Sequence, residues 1–203
     1  PTKTLLHTSD LIREMRHASA HGITIPEPEV DLATVVERSR GAASQLNRGV
    51  GFLLKKHGVQ VFDGDARLDR PGRVEVTGAS AATLVSDAII LATGARARAL
   101  PGIDPADPLV WTYRAAMVPE RLPSRLLVVG AGAIGIEFAS FYAALGSEVT
   151  VVEVLPEVLA TEDPEIGAHM RDALQRQGLR VLTGAKVIAF DNEGEQAHVR
   201  IDT

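Results

Sequence analysis

The chain has 203 residues, 45% of them hydrophobic, and a formal net charge of -5. This length allows one large domain or two small ones, each with a real core. The mild acidity and the lack of a run rich in Lys and Arg argue against nucleic acid as a main partner. No apolar stretch is long enough to span a bilayer and no signal peptide pattern occurs, so we expect a cytoplasmic protein without a membrane partner. Zero cysteines exclude a disulfide framework and thiolate chemistry within this chain.

The first half of the chain predicts two helices followed by short strands. Apolar residues at helical spacing indicate a helix over residues 4–21 that ends at Gly22. A longer helical pattern begins at Asp31 and ends near Gly58. Strands are predicted at residues 59–62, 66–68 and 73–76, and a buried strand is predicted at residues 84–85 and 88–92. A turn at residues 69–72, with its Pro and Gly, joins the second and third of these strands as a hairpin.

The second half alternates strands with helices. Residues 101–123 form a connector punctuated by prolines, and we place a domain boundary there, giving domains 1–122 and 123–203. Strands are predicted at residues 126–129, 148–153, 179–182, 186–190 and 197–201, and helices at residues 134–145 and 163–177. Asp163 is the expected cap of the last helix. This alternation is typical of an α/β fold, here with Rossmann-like three-layer nucleotide-binding domains.

A glycine-rich turn carries the strongest functional signal. The apolar residues 126–129 lead into Gly130, Gly132 and Gly135, and an acid, Glu153, follows 18 positions after the last glycine. In a dinucleotide site the three glycines permit a tight turn, the approach of the backbone to a pyrophosphate, and close packing of helix on strand. The phosphates would lie on free N–H groups at the positive end of the helix dipole. The predicted contacts of this turn are Gly130, Ala131, Gly132, Ala133, Ile134 and Gly135.

Glu153 predicts which dinucleotide is bound. A carboxylate at the end of the second strand can accept hydrogen bonds from both hydroxyls of the adenosine ribose, and it would repel a 2′-phosphate. Residues 154–161 include no Lys or Arg that could bind such a phosphate. The sequence therefore favours NAD over NADP.

Several segments occur in an order that resembles the flavin-dependent pyridine nucleotide–disulfide oxidoreductases. They are residues 1–7, residues 90–94, the turn with its helix start at residues 130–137, and Glu153. The resemblance covers the whole chain and is nearest to the branch that acts on lipoamide. In this family a Cys-x-x-x-x-Cys pair precedes an Ile-Pro-Ser/Thr-Lys run, and this chain starts at that proline. We therefore expect a central piece of a longer polypeptide, with the redox cysteines upstream.

The resemblance also implies roles for individual residues. Lys3 matches the lysine near the flavin ring, and Glu137 matches the glutamate that pairs with this lysine. Ala66 matches a small residue against the adenosine of FAD, and residues 92–94, including Thr93 and Gly94, match a segment that approaches FAD. Val187 matches a contact of the NAD adenine. The implied cofactors are FAD and NAD.

By the same resemblance, the whole enzyme passes electrons from a dithiol through its cysteine pair and FAD to NAD. It is a homodimer and works within a 2-oxo acid or acetoin dehydrogenase complex. The first FAD glycine motif, the dimer domain and its His–Glu pair are not in this chain. We therefore assign no catalytic residue and expect no disulfide reductase activity from these 203 residues alone.

Two other readings stay open at this stage. The first is a module that binds NAD(H) without catalysis, since the binding features do not depend on thiols. The second is another flavin reductase of the family, such as a mercuric reductase or a transhydrogenase. We assign no metal site, because His17 and His21 have the spacing of metal ligands but no evident third ligand. A hydrolase is not supported, because the chain has no Gly-x-Ser-x-Gly motif.

Overall fold

The computed structural model describes residues 1–203, which form two compact units. Unit 1 contains residues 1–42 and 97–203, and unit 2 contains residues 43–96. These units reflect packing within the chain rather than cofactor binding, so the boundary between residues 122 and 123 stays a prediction. None of the helices combines the length and the apolar character needed to cross a membrane.

Unit 1 is built around a three-stranded parallel sheet. Its strands are β4 (Arg125–Val129), β5 (Glu148–Val152) and β6 (Arg180–Leu182), in the order β4-β5-β6. Helix α4 (Ala133–Ala144) connects the first two strands, and helix α5 (Pro164–Arg176) connects the last two. A parallel pair requires such a crossover, which covers one face of the sheet. This βαβαβ arrangement confirms the predicted α/β fold.

The ends of these helices follow the predicted signals. After α4 the chain turns at Gly146, whose φ of +107° is favourable only for glycine. Asp163 caps α5 by accepting a hydrogen bond of 2.9 Å from the backbone nitrogen of Glu165. An antiparallel hairpin of β7 (Lys186–Asn192) and β8 (Ala197–Asp202) follows the parallel sheet.

Helix α4 lies in the core of unit 1. Its residues Phe138, Ala139, Phe141 and Tyr142 are nearly inaccessible, because the helix packs on the sheet and also on helix α1 (Thr2–His17). Beyond its first turn, where Ile134 is 60% exposed, burial surrounds α4 instead of covering a single stripe, as expected of a helix that is apolar on all faces. A short 3₁₀-helix (Ala18–His21) continues α1, and the chain then turns at Gly22 as predicted.

The aromatic residue before α3 (Tyr113–Ala116) has a packing role. The ring of Trp111 lies 6.1 Å from that of Tyr142, and the Tyr142 hydroxyl donates a 2.9 Å hydrogen bond to the carbonyl oxygen of Ala116. Burial raises the pKa of Tyr142, so this hydroxyl stays protonated and remains a donor. The connector is thus attached to the core of unit 1.

Helix α2 (Leu32–Lys56) runs from unit 1 into unit 2 and starts at a strong cap. The Asp31 carboxylate accepts hydrogen bonds from the Thr34 hydroxyl at 2.6 Å and from the backbone nitrogens of Thr34 and Ala33. The Thr34 side chain is the main cause that lowers the pKa of Asp31 below its ordinary value of 3.8, and the backbone donors act in the same direction.

Unit 2 contains an antiparallel sheet of β1 (Asp65–Arg70), β2 (Arg73–Thr77) and β3 (Ala82–Val85). The predicted hairpin between β1 and β2 is confirmed, with Gly72 at a φ of +75° in the turn. Two other predictions were wrong, because residues 59–62 and 88–92 form no strand. A strand requires a hydrogen-bonded neighbour, and no strand of this chain pairs with either segment. Ile90, expected to be buried, is 92% exposed.

Candidate functional site

The glycine-rich turn lies between β4 and α4, at the carboxyl end of the parallel sheet. This is the edge at which open α/β sheets bind their ligands. Gly130 has a φ of +103°, a conformation that residues with a Cβ rarely adopt. A Cβ on Gly135 would overlap the carbonyl oxygen of Gly130 and would approach Cγ1 of Val128 to 3.4 Å. Gly135 therefore permits the close approach of helix to strand.

Gly132 differs from the other two glycines of the turn. Its φ of -74° is ordinary, and a Cβ added there would meet no atom of the chain within 4 Å. Neither the backbone nor the packing within the chain requires a glycine at this position. The open space above Gly132 is what a ligand that approaches the backbone would need.

The start of α4 offers unpaired donors on the same side of the turn. Gly132 is the N-cap residue, and no side chain caps the helix there. The backbone nitrogens of Ala133 and Ile134 have no acceptor within the chain. Free N–H groups at the positive end of the helix dipole attract phosphate oxygens. The turn is therefore suited to the pyrophosphate of a dinucleotide.

Glu153 follows β5 and lies beside the turn. Its Oε2 atom accepts a hydrogen bond of 2.7 Å from the backbone nitrogen of Ala131, and its Oε1 atom accepts one of 2.9 Å from that of Leu155. Its own backbone is bonded to Leu182 and Ala185. The carboxylate is half-buried and can accept about four hydrogen bonds. It therefore keeps capacity for ribose hydroxyls while it holds the turn.

The remaining predicted NAD contact lies in the hairpin of unit 1. Val187 is a half-buried residue of β7 and is paired with Ile201 of β8. Its role at the adenine stays a prediction.

The predicted pairing of Lys3 with Glu137 concerns a site beside the flavin and stays a prediction. Lys3 is an exposed residue of α1, and Glu137 is a half-buried residue of α4. These two helices pack against each other, but their charged side chains form no ion pair within 4.0 Å.

The other predicted FAD contacts lie in unit 2. Ala66 is an exposed residue of β1 and is paired with Val76 of β2. Thr93 and Gly94 are exposed and belong to no helix or strand, and Gly94 has a φ of +77°. The predicted turn and its contact with FAD both stay predictions.

Two residues, one bonded to Glu153 and the other to the turn, were missed by the sequence analysis. The backbone nitrogen of Leu155 donates to Glu153, and that of Leu159 donates to the carbonyl oxygen of Ala131 at 2.9 Å. Both contacts use the backbone, so no residue type indicates them. Leu159 has a φ of +49°, which a leucine gives no reason to expect from sequence.

A comparison with known protein families decides the family of this chain. Residues 1–203 match the sequence family described as pyridine nucleotide-disulphide oxidoreductase. The chain belongs to this family. The resemblance inferred from the sequence is thereby confirmed.

Curated relatives of this pyridine nucleotide–disulfide oxidoreductase include several dihydrolipoyl dehydrogenases. The protein of that name from Rhizobium etli is 40% identical over 100% of this chain and 46% of its own length. That from Zymomonas mobilis is 42% identical over 98% of this chain and 44% of its own length. The chain thus spans a little under half the length of these relatives.

Solved structures give the same family likeness. The crystal structure of LpdA from Mycobacterium tuberculosis has a TM-score of 0.85 at 29% identity, covering 99% of this chain and 45% of that chain. The HOCl-induced flavoprotein disulfide reductase RclA from Escherichia coli has a TM-score of 0.78 at 26% identity, covering 98% of this chain and 42% of its own. The fold of this chain is therefore that of flavoprotein disulfide reductases.

Proposed function

We propose that the chain forms the NAD-binding part, and some of the FAD-binding part, of a dihydrolipoyl dehydrogenase. The whole enzyme would pass electrons from a dithiol through a cysteine pair and FAD to NAD. The observation that carries this proposal is the glycine-rich turn with Glu153 beside it, in a chain that matches the family along its full length. Names of the curated relatives support the choice of the lipoamide branch.

Within residues 123–203, the turn would bind the dinucleotide through its backbone. Gly132 leaves room for the pyrophosphate, and the N–H groups of Ala133 and Ile134 would donate to its oxygens. Glu153 would accept hydrogen bonds from the ribose hydroxyls and would disfavour a 2′-phosphate. Val187 would lie at the adenine.

Residues 1–122, together with Glu137 of the second domain, would contribute to the FAD side. Lys3 and Glu137 would lie near the flavin ring, Ala66 against the adenosine, and Thr93 with Gly94 along the cofactor. When bound, FAD and NAD supply the redox chemistry, since no side chain of this composition can carry a hydride. The work of the protein is to bind and orient both dinucleotides.

Further parts of the proposal concern the whole polypeptide. It would form a homodimer and act within a 2-oxo acid or acetoin dehydrogenase complex, with dinucleotides rather than nucleic acid or membrane as its partners. The family likeness supports a dinucleotide-binding protein, and the dimer and the complex follow from the lipoamide assignment.

The experiment that tests this function uses the polypeptide extended upstream of Pro1. A Cys-x-x-x-x-Cys pair that ends two residues before Pro1, together with NADH-dependent reduction of lipoamide, is the expected result. Two other acceptors test the other branches of the family: mercuric ion tests for a mercuric reductase, and NADP tests for a transhydrogenase. Lipoamide turnover by the purified 203-residue chain would contradict our expectation that it is inactive alone.

A second candidate function is NAD(H) binding without catalysis. It is favoured by one observation: the turn, the helix start and Glu153 all lie within unit 1, whereas the chain has no cysteine. An extended polypeptide that lacks the cysteine pair but binds NADH would establish this second function.

A further inference from the structure

The segment after Glu153 is fixed to the rest of unit 1 at several points. The backbone nitrogen of Gly184 donates to the carbonyl oxygen of Leu155 at 2.9 Å. Val158 is 0% exposed, and the side chain of Leu159 packs against the core of unit 1. Residues 155–159 thus form a support beside the glycine-rich turn that is held at both ends.

Leu159 has an unusual backbone conformation within this support. It is the one non-glycine residue of the chain with a positive φ, at +49°. An L-residue in the left-handed region costs about 1–2 kcal/mol, so the surroundings must hold it there. Its N–H donates to Ala131 at 2.9 Å, and its carbonyl oxygen accepts from Glu162 at 2.7 Å.

Both polar backbone groups of Ala131 are hydrogen-bonded to residues of this region. It is 1% exposed; its N–H donates to Glu153 and its carbonyl oxygen accepts from Leu159. Neither backbone group of Ala131 is available to a ligand while these bonds last. The residue therefore serves to fix the turn in one orientation.

Fixing the carbonyl of Ala131 also fixes the next N–H group. The carbonyl of Ala131 and the N–H of Gly132 belong to one planar peptide unit, which is trans, because the chain has no cis peptide bonds. In a trans unit these two groups point in opposite directions. The bond from Leu159 therefore directs the Gly132 N–H away from the support.

From this geometry we propose that Leu159 is a positioning residue for the dinucleotide. Its left-handed conformation places its N–H on Ala131 and so holds the Gly132 N–H toward the pyrophosphate. This inference rests on the proposed binding of NAD at the turn. Leu159 would act through its backbone and would not itself touch the ligand.

Two substitutions separate conformation from packing. Leu159→Ile keeps the volume, but a β-branched residue is strongly disfavoured at positive φ, so the bond to Ala131 should break. Leu159→Gly removes the side chain, but glycine adopts this φ at no steric cost. If Leu159 has a positioning role, Leu159→Ile should bind NADH more weakly and Leu159→Gly should keep its binding. If Leu159 acts only through packing, Leu159→Ile should keep its binding and Leu159→Gly should bind more weakly.

The measurements are NADH titration, thermal unfolding and amide hydrogen exchange on the 203-residue chain. We expect Leu159→Ile to weaken NADH binding about tenfold, the factor that corresponds to an added left-handed cost within this range. Its amide at position 159 should exchange faster. Leu159→Gly should keep the affinity while its unfolding temperature falls. Equal NADH affinity of Leu159→Ile and the unaltered chain would overturn the proposal.

A second pair covers the case in which Leu159→Ile does not fold. Leu159→Ala and Leu159→Gly lose nearly the same packing, but only alanine is disfavoured at this φ. If the alanine variant binds NADH more weakly than the glycine variant, the positioning role is supported. If the alanine variant binds NADH as tightly as the glycine variant or more tightly, the positioning role is overturned. If the unaltered chain itself fails to bind NADH, the proposed function falls and this inference with it.

Discussion

The Oε2 atom of Glu153 lies 2.7 Å from the backbone nitrogen of Ala131, so the acid at the end of β5 is hydrogen-bonded to the glycine-rich turn. One carboxylate thus has two tasks: it holds the turn and, in the proposed function, it binds the ribose. Substitutions of Glu153 must be chosen to separate these tasks.

Glu153→Arg should weaken NADH binding and improve NADPH binding. The change removes the acceptors of the ribose hydroxyls and introduces a cation for a 2′-phosphate. Loss of a hydrogen-bonded pair of this kind costs on the order of 1–3 kcal/mol of binding free energy. Isothermal titration with both nucleotides checks the prediction.

Glu153→Gln is the matched control for this change. Its amide oxygen can still accept the bond from Ala131, and the side chain keeps its size. NADH binding should therefore fall less than in Glu153→Arg, without a gain for NADPH. If Glu153→Arg binds NADH as well as the unaltered chain, Glu153 does not bind the ribose.

Gly132→Val should abolish NADH binding in a folded protein. A Cβ at this position meets nothing within 4 Å in the chain, so we expect the fold to tolerate valine, whose side chain would occupy the space proposed for the pyrophosphate. Circular dichroism and NADH titration measure the two effects. Normal binding by the folded variant would show that the site lies elsewhere.

Gly135→Ala should lower the stability of the chain, in contrast to Gly132→Val, which should block NADH binding. Its Cβ would overlap the carbonyl oxygen of Gly130, so the helix must move away from β4. Overpacking of this kind costs about 1–3 kcal/mol of the free energy of unfolding. Chemical denaturation checks this, and an unchanged midpoint would contradict the packing role given to Gly135.

Tyr142→Phe should destabilise unit 1. The change leaves the carbonyl oxygen of the half-buried Ala116 without its donor, and loss of such a hydrogen bond costs about 0.5–1.5 kcal/mol. Tyr113→Phe is the matched control, because the Tyr113 hydroxyl makes only an exposed contact with Arg114. Equal denaturation midpoints for the two variants would refute the importance of the Tyr142 hydrogen bond.

Asp31 should make the stability of the chain depend on pH in the acid range. Its folded pKa is lowered, chiefly by the Thr34 side chain, so its contribution is present above the ordinary value of 3.8 and is lost as the pH falls through the lower, folded value. Asp31→Asn keeps an acceptor for the cap but does not titrate. Its urea midpoint should therefore decline less between neutral and strongly acidic pH, and an equal decline would contradict this account.

The sequence predicted the parallel sheet of unit 1 well, because its signals are local. The glycines that end helices, the Asp163 cap and the spacing from Gly135 to Glu153 each act within a few residues or one βαβ unit. The predicted helices and strands there agree with the structure to within a few residues.

The errors in unit 2 have a different physical origin. Residues 59–62 and 88–92 have the apolar, β-branched composition of strands, but a strand forms only where a neighbour supplies hydrogen bonds. Composition therefore indicated a tendency and could not show whether a partner is present.

The candidate site could be predicted only in part, for a similar reason. Gly130, Gly132, Gly135 and Glu153 are indicated by residue type and spacing. The support by Leu159 depends on a backbone N–H and a φ of +49°, which any residue type could in principle supply. Contacts of this kind become visible only in a three-dimensional structure.

The central claim is that the turn and Glu153 form an NAD site, and titration of the purified chain with NADH and NADPH tests it most directly. We predict saturable binding of NADH, much weaker binding of NADPH, and loss of NADH binding in Gly132→Val. Absence of NADH binding by the folded chain, or equal affinity for both nucleotides, would contradict the account.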